Sequence, residues 1–292
     1  MVINNSIVFF GSGPVAAKSL EFLAKHFSIE AVITKAIPAH HKGTAPVEEL
    51  VKNTDLPILF ASNKTELDEL FATHTFDSSL GIIIDYGVIV SKNIIDTFGH
   101  GILNSHFSLL PEWRGADPIT FSILSGQKKT GVSLMIIEPT MDTGKLIAQK
   151  SLVIDPQDTT PILTDRLINL SNEMIAEYVP AYQAGEIKPR QQPHPDRATY
   201  SRKLTKEDGI IDWKKPAHQI ECEVRAYRGW PGSRTTILSK SIIVTKSHVS
   251  SEQKTPLDIL CGDGAYLSVD ELIAPSGKTM NAQAFLNGYA AG

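Results

Sequence analysis

Asn104 and His106 stand two residues apart in the run Asn104-Ser105-His106-Phe107-Ser108-Leu109-Leu110-Pro111, and Asp142 follows in Met141-Asp142-Thr143-Gly144. An amide can receive a developing oxyanion, an imidazole can move a proton, and a carboxylate can orient and charge the imidazole. Together the three suit acyl transfer to an amine. Alternate residues of a strand share a face, so a strand closing at 102–104 would aim Asn104 and His106 into one cleft. Each residue also has an ordinary use: a turn amide, a hydrogen-bonded buried histidine, a helix-capping aspartate. The surrounding sequence separates the two readings.

The elements needed to position such a trio are legible. Over the first two hundred residues, short β-branched runs alternate with amphipathic stretches. The pattern predicts strands near 7–10, 30–34, 58–60, 79–84, 101–103 and 131–137. Helices are expected near 15–26, 46–52, 64–73, 92–97 and 161–184, the last stopped by Gly185. This βαβ alternation predicts a mostly parallel sheet with helices on both faces. Residues 186–199 carry Pro189, Pro193 and Pro195 among polar and basic side chains, a linker composition. Beyond it, short strands at 235–238, 242–246, 258–261 and 266–271 fit a small β-barrel.

Composition narrows the function classes. The chain has 292 residues, 42% hydrophobic and 21% charged, which describes a globular protein with ample core. Its apolar runs are too short to span a bilayer, and its N-terminus lacks a secretory pattern. Cys222 and Cys261 have no metal-ligand spacing, so reduced thiols and a cytoplasmic location are expected. A net charge of −4 argues against a generic nucleic-acid binder. The charge is uneven, however: residues 193–292 net +2 and the remainder −6. Between 188 and 206, Lys188, Arg190, Arg197, Arg202, Lys203 and Lys206 face only Asp196. A solvated linker and an RNA-backbone contact both fit that run.

Gly11-Ser12-Gly13-Pro14-Val15-Ala16 has the G-x-G-x-x-A form between a strand and a helix. The second strand ends Val32-Ile33-Thr34-Lys35, without the acid that holds a nicotinamide ribose, so NAD is not expected. His40-His41 beside Lys42 lacks a third ligand at a recognisable spacing, and no metal is expected. Arg114, in Trp113-Arg114-Gly115, reads as a cation that fixes loop geometry or meets an anionic part of a substrate.

The run from Asn104 to Ile119, Asn-x-His-x-Ser-Leu-Leu-Pro-x-Trp-Arg-Gly-Ala-x-Pro-Ile, resembles the signature of the folate-dependent formyltransferases. Thr130-Gly131-Val132 and Met141-Asp142-Thr143-Gly144 follow where that family has its T-G-V and D-T-G elements. Further matches are Tyr200-Ser201-Arg202-Lys203-Leu204, Ile211-Asp212-Trp213, Val224-Arg225-Ala226, Trp230-Pro231-Gly232 and 280–288. They are similar to the branch of the family that acts on methionyl-tRNA. The resemblance implies an α/β fold: a Rossmann-like catalytic domain over 1–185, a basic Pro-containing linker over 186–202, and an OB-like domain over 203–292. It implies transfer of a formyl group from 10-formyltetrahydrofolate to the amino group of methionine on initiator tRNA, by a monomer. Asn104, His106 and Asp142 would be catalytic. Ser108, Leu109, Leu110, Pro111, Ile84 and Tyr86 would line the folate pocket. Lys42, Arg190, Arg202 and Lys203 would contact tRNA.

Three departures from the family pattern stand out. The loop after the second strand spans only 35–47, with Lys35 and Lys42 as its cations, so the 188–206 run is expected to supply tRNA contacts. Asp85 stands where the family carries an apolar or small residue. The chain ends soon after Asn287-Gly288. An enzyme acting on a nucleotide-linked amino sugar, or a non-catalytic folate- or RNA-binding module, are the alternative readings.

Overall fold

The computed structural model describes residues 6–37 and 45–289, so His40, His41 and Lys42 lie outside the described residues. In chain order the elements begin β1 (Ser6–Phe10), α1 (Pro14–Leu23), β2 (Ser28–Thr34), α2 (Pro46–Val51), β3 (Ile58–Phe60), α3 (Lys64–Thr73), β4 (Gly81–Ile83), α4 (Lys92–Ile95) and β5 (Ile102–His106). They continue with β6 (Arg114–Gly115), α5 (Pro118–Leu124), β7 (Lys129–Ile136), β8 (Leu146–Val153), α6 (Thr160–Gln183) and β9 (Tyr200–Ser201). Last come α7 (Ala217–Ala226), β10 (Ser233–Ile237), β11 (Lys240–Ser250), β12 (Asp258–Leu260), β13 (Tyr266–Ile273), β14 (Thr279–Asn281) and α8 (Ala282–Tyr289).

The chain forms two compact units. The first takes residues up to Pro118, with Gly131–Leu152 and Asp165–Tyr200. Its seven-stranded sheet runs β3-β2-β1-β4-β5-β7-β8. The five strands from β3 to β5 pair in parallel, and β7 lies antiparallel to β5. Continuous apolar runs explain the central position of β1: Ile7, Val8, Phe9 and Phe10 are all fully buried, as a strand covered on both faces requires. On one face Phe10 packs among Phe71, Tyr86 and Phe98, with ring centroids about 6 Å apart. Pro14 opens α1 directly after Gly13, where its missing N–H costs nothing. Strand order reverses between β1 and β4, and a doubly wound sheet opens its crevice at the carboxyl ends of such strands. Asn104 and His106 sit at the carboxyl end of β5, the next strand along.

The second unit takes Ile119–Thr130, Val153–Thr164 and Ser201–Gly292. Its antiparallel sheet runs β10-β11-β13-β12, with β14 also paired to β13. Register shifts between Val244 and Ser247 bend the long strand β11, giving an OB-like half-barrel. Ile220 and Val224 of α7 and Phe285 of α8 bury against Ile242, Val244, Leu267 and Leu272. No helix among the described residues is long and apolar enough to cross a membrane.

Candidate active site

Asn104 and His106 lie on one face of β5, paired across the antiparallel ladder with Met135 and Ser133 of β7. His106 is 6% exposed. Its Nε2 lies 2.9 Å from the carbonyl oxygen of Trp113. A carbonyl can only accept, so Nε2 carries the proton and Nδ1 is the free position on the ring. Nδ1 faces Asp142 Oδ2 at 3.8 Å, an ion-pair distance but longer than a hydrogen bond. Asp142 adopts φ +52° and accepts the Gly115 N–H on the same Oδ2 at 2.7 Å. The half-exposed Asn104 carboxamide has no hydrogen-bond partner among the described residues. It is the one member of the trio whose donors are not already committed.

The 108–111 loop is held from below by two polar side chains. Ser133 Oγ donates to Ser108 O (2.6 Å) and accepts from Leu110 N–H (3.0 Å). Gln149 Nε2 donates to Ser133 Oγ (2.8 Å) and to Leu110 O (3.0 Å). The Ser133 hydroxyl thereby uses its one proton and both lone pairs. Ser108, Leu110 and Pro111 are buried and Leu109 is half-buried over Gly131, where a Cβ would strike its side chain. Most of the loop's backbone groups are thus spent within the protein, and Leu109 is its most accessible side chain.

Two pocket residues named from the sequence turn inward instead. Ile84 is fully buried. Tyr86 is 1% exposed within the aromatic core, and its hydroxyl donates to Ala61 O at 2.6 Å. Neither side chain reaches the crevice. Asp85 between them does: at φ +49° it stands at the surface while its carboxylate lodges against Gly13. Burial of that carboxylate pushes its pKa up to about 6, against the opposing pull of the Lys35 ammonium. The turn at 11–13 spends two of its donors, Gly11 N–H on Ile33 O and Ser12 N–H on Asp85 O. The Asp85 carboxylate beside it adds a negative charge that would oppose a bound phosphate.

A raised carboxyl pKa means that ionisation opposes the fold, so the penalty is absent near pH 4 and develops as pH rises through about 6. Asp85→Asn should therefore match the wild type in thermal midpoint near pH 4 and exceed it at pH 8. Residual solvent access at Asp85 keeps the gain modest. A midpoint difference that shrinks as pH rises would contradict this placement.

The tRNA residues named from the sequence divide into two kinds. Arg190 and Lys203 are exposed with no ion-pair partner among the described residues. Arg202 instead holds Asp208 through two bonds of 2.8 and 2.5 Å and keeps that carboxyl far below its usual range. Asp208 thus neutralises one of the six cations. In the second unit His218, Glu221 and Cys222 bring ligand atoms within 4.8 Å of one another. Arg225 binds both oxygens of Glu221 (2.6 and 3.0 Å) and donates to Cys222 Sγ (3.4 Å). Arg225 thus already engages two of these three residues.

Sequence reasoning also missed Gln192. It is 5% exposed among exposed neighbours and contacts the turn that carries Asp142.

Residues 6–179 match the family described as formyl transferase, and residues 203–290 match the formyl transferase C-terminal domain. The chain belongs to the formyl transferase family. A methionyl-tRNA formyltransferase of Myxococcus xanthus is 31% identical, covering 97% of this chain and 95% of its own. Another, from Roseiflexus castenholzii, is 33% identical over 93% of this chain and 92% of its own. Among solved structures, an N-formyltransferase from Helicobacter canadensis, in complex with folinic acid and dTDP-3-aminofucose, superposes with a TM-score of 0.69. It is 19% identical and covers 89% of this chain and 97% of its own. At that identity the likeness speaks for the fold alone.

Proposed function

We propose that this chain transfers the formyl group of 10-formyltetrahydrofolate to the α-amine of methionine on initiator tRNA, acting as a monomer in the cytoplasm. The observation that carries the reading is the trio at the end of β5, an uncommitted Asn104 amide beside a His106–Asp142 pair. It sits in a chain with methionyl-tRNA formyltransferase relatives matched over more than nine-tenths of both chains.

The chemistry follows from the donors. An α-amine with a pKa of about 8 has a useful neutral fraction at neutral pH. Its lone pair attacks the formyl carbon, a C–N bond forms, and the carbonyl pair moves onto oxygen. Asn104 donates to that oxyanion, because the His106 Nε2–H is already given to Trp113. The His106–Asp142 pair takes the proton shed by the attacking nitrogen. It returns the proton to the folate nitrogen as the old C–N bond breaks, leaving tetrahydrofolate and formylated methionyl-tRNA. The firmly held 108–111 loop suits a wall for the donor, with half-buried Leu109 rather than Ile84 or Tyr86 as its accessible side chain.

Label transfer from radiolabelled 10-formyltetrahydrofolate tests the reading directly. Charged initiator tRNA should be labelled well above charged elongator tRNA, and a nucleotide-linked amino sugar should remain unlabelled. Labelling of the sugar alone would replace the acceptor while keeping the chemistry.

The cations of the 188–206 run make a separate expectation. Each phosphate left without its cation should lower the salt slope of tRNA binding by roughly one unit. Arg190→Ala with Lys203→Ala should flatten the slope and weaken tRNA binding without changing donor KM. Arg202→Ala should do less, since Asp208 already neutralises it. An unchanged slope in the double variant would move tRNA recognition elsewhere.

A further inference from the structure

We propose that Gln192 is a positioning residue for the His106–Asp142 pair, a role that rests on the formyl-transfer reading above. Its carboxamide joins the two segments that hold the imidazole. Oε1 accepts from Arg114 Nη2 at 2.7 Å. Nε2 donates to the carbonyl oxygen of Asp142 at 2.8 Å and to that of Gly144 at 3.0 Å. On the Arg114 side, the preceding residue presents the carbonyl that takes His106 Nε2, and the following residue donates to Asp142 Oδ2. On the other side lies the turn bearing Asp142 itself. One buried amide therefore links both partners of His106.

The turn needs such a hold. Asp142 sits at φ +52°, a left-handed backbone conformation that a non-glycine residue keeps only where neighbours over-determine it. Gln192 takes the carbonyl of that very residue. Its own backbone is fixed two residues earlier, where Arg190 and Leu146 exchange both main-chain hydrogen bonds at 2.7 and 2.9 Å. Only a carboxamide can accept from a guanidinium and donate twice to carbonyls. A glutamate keeps the size and the Arg114 bond, has neither donor, and sets a charge against two carbonyl oxygens.

Gln192→Glu and Gln192→Ala in the full chain are the test, read by steady-state formyl transfer and thermal unfolding. Both should lower kcat about ten- to a hundred-fold, the scale of a displaced catalytic group, with KM for donor and tRNA nearly constant. Gln192→Glu should also lower the thermal midpoint, because it sets a buried charge against two carbonyls, so rates are compared well below that midpoint where the variant is folded. Tyr182→Phe, which removes the 2.8 Å bond to His100 O in the same unit, serves as a control that gives up a hydrogen bond but not rate. Adding Gln192→Glu to Asp142→Asn should slow the enzyme no further. Wild-type kcat in Gln192→Glu, or fully multiplicative losses in the double variant, would overturn the proposal. If Asp142→Asn itself kept full rate, the catalytic reading would fall and the positioning role with it.

Discussion

Asn104→Ala, His106→Ala and Asp142→Asn should each fold and each lose about two to three orders of magnitude in kcat, the loss typical of removing one oxyanion or proton-transfer group. The reason differs at each position. Asn104 alone in the trio has donors uncommitted among the described residues. His106 offers Nδ1 because Nε2 is fixed on Trp113 O, and Asp142 is the group that faces it. Because His106 and Asp142 act as one unit, their double variant should be little slower than the worse single one. His106→Ala also removes the hydrogen bond to the Trp113 carbonyl, so a loss of roughly 1 kcal/mol in stability should accompany it. Single-turnover formyl transfer with excess enzyme separates chemistry from binding. Near-wild-type single-turnover rate in Asn104→Ala would remove the amide from oxyanion stabilisation.

Phe10→Ala should cost about 3–5 kcal/mol of stability, the range for emptying a large aromatic site in a close-packed core. Phe10 is fully buried, and its ring meets Phe71, Tyr86 and Phe98. It is also the last residue of β1, at the reversal of strand order where the crevice opens. Urea denaturation followed by fluorescence should show the midpoint fall with an unchanged slope. A loss below about 1 kcal/mol would mean that the ring cluster collapses onto the space.

Much of this was legible because it depends on local pattern. The run Ile7 to Phe10 could only be a covered strand, and β5 places Asn104 and His106 on one face by alternation alone. Other placements rest on geometry that no local pattern carries. Tyr86 follows Asp85, whose φ of +49° breaks the alternation after β4 and turns the ring into the core. Nothing in the letters Asp-Tyr-Gly announces that reversal. Arg202 and Asp208 meet six residues apart in irregular chain, a spacing that no helix or strand rule pairs. Ser133, Gln149 and Gln192 are ordinary polar residues whose importance exists only through tertiary hydrogen bonds. Gln192 was hidden further by its setting, since the prolines and basic residues around it read as tether.

The second unit is not a cassette. It draws residues 119–130 and 153–164 from well before the linker. Within that unit Gln219 donates to Leu124 O, Thr160 to Ala226 O, and Arg225 to Asp158 O. A graft that exchanged only residues from 201 onward between relatives would pair each new α7 with segments shaped for another. Swapped enzymes built that way should express poorly whatever their acceptor, and a sound exchange would carry both segments along.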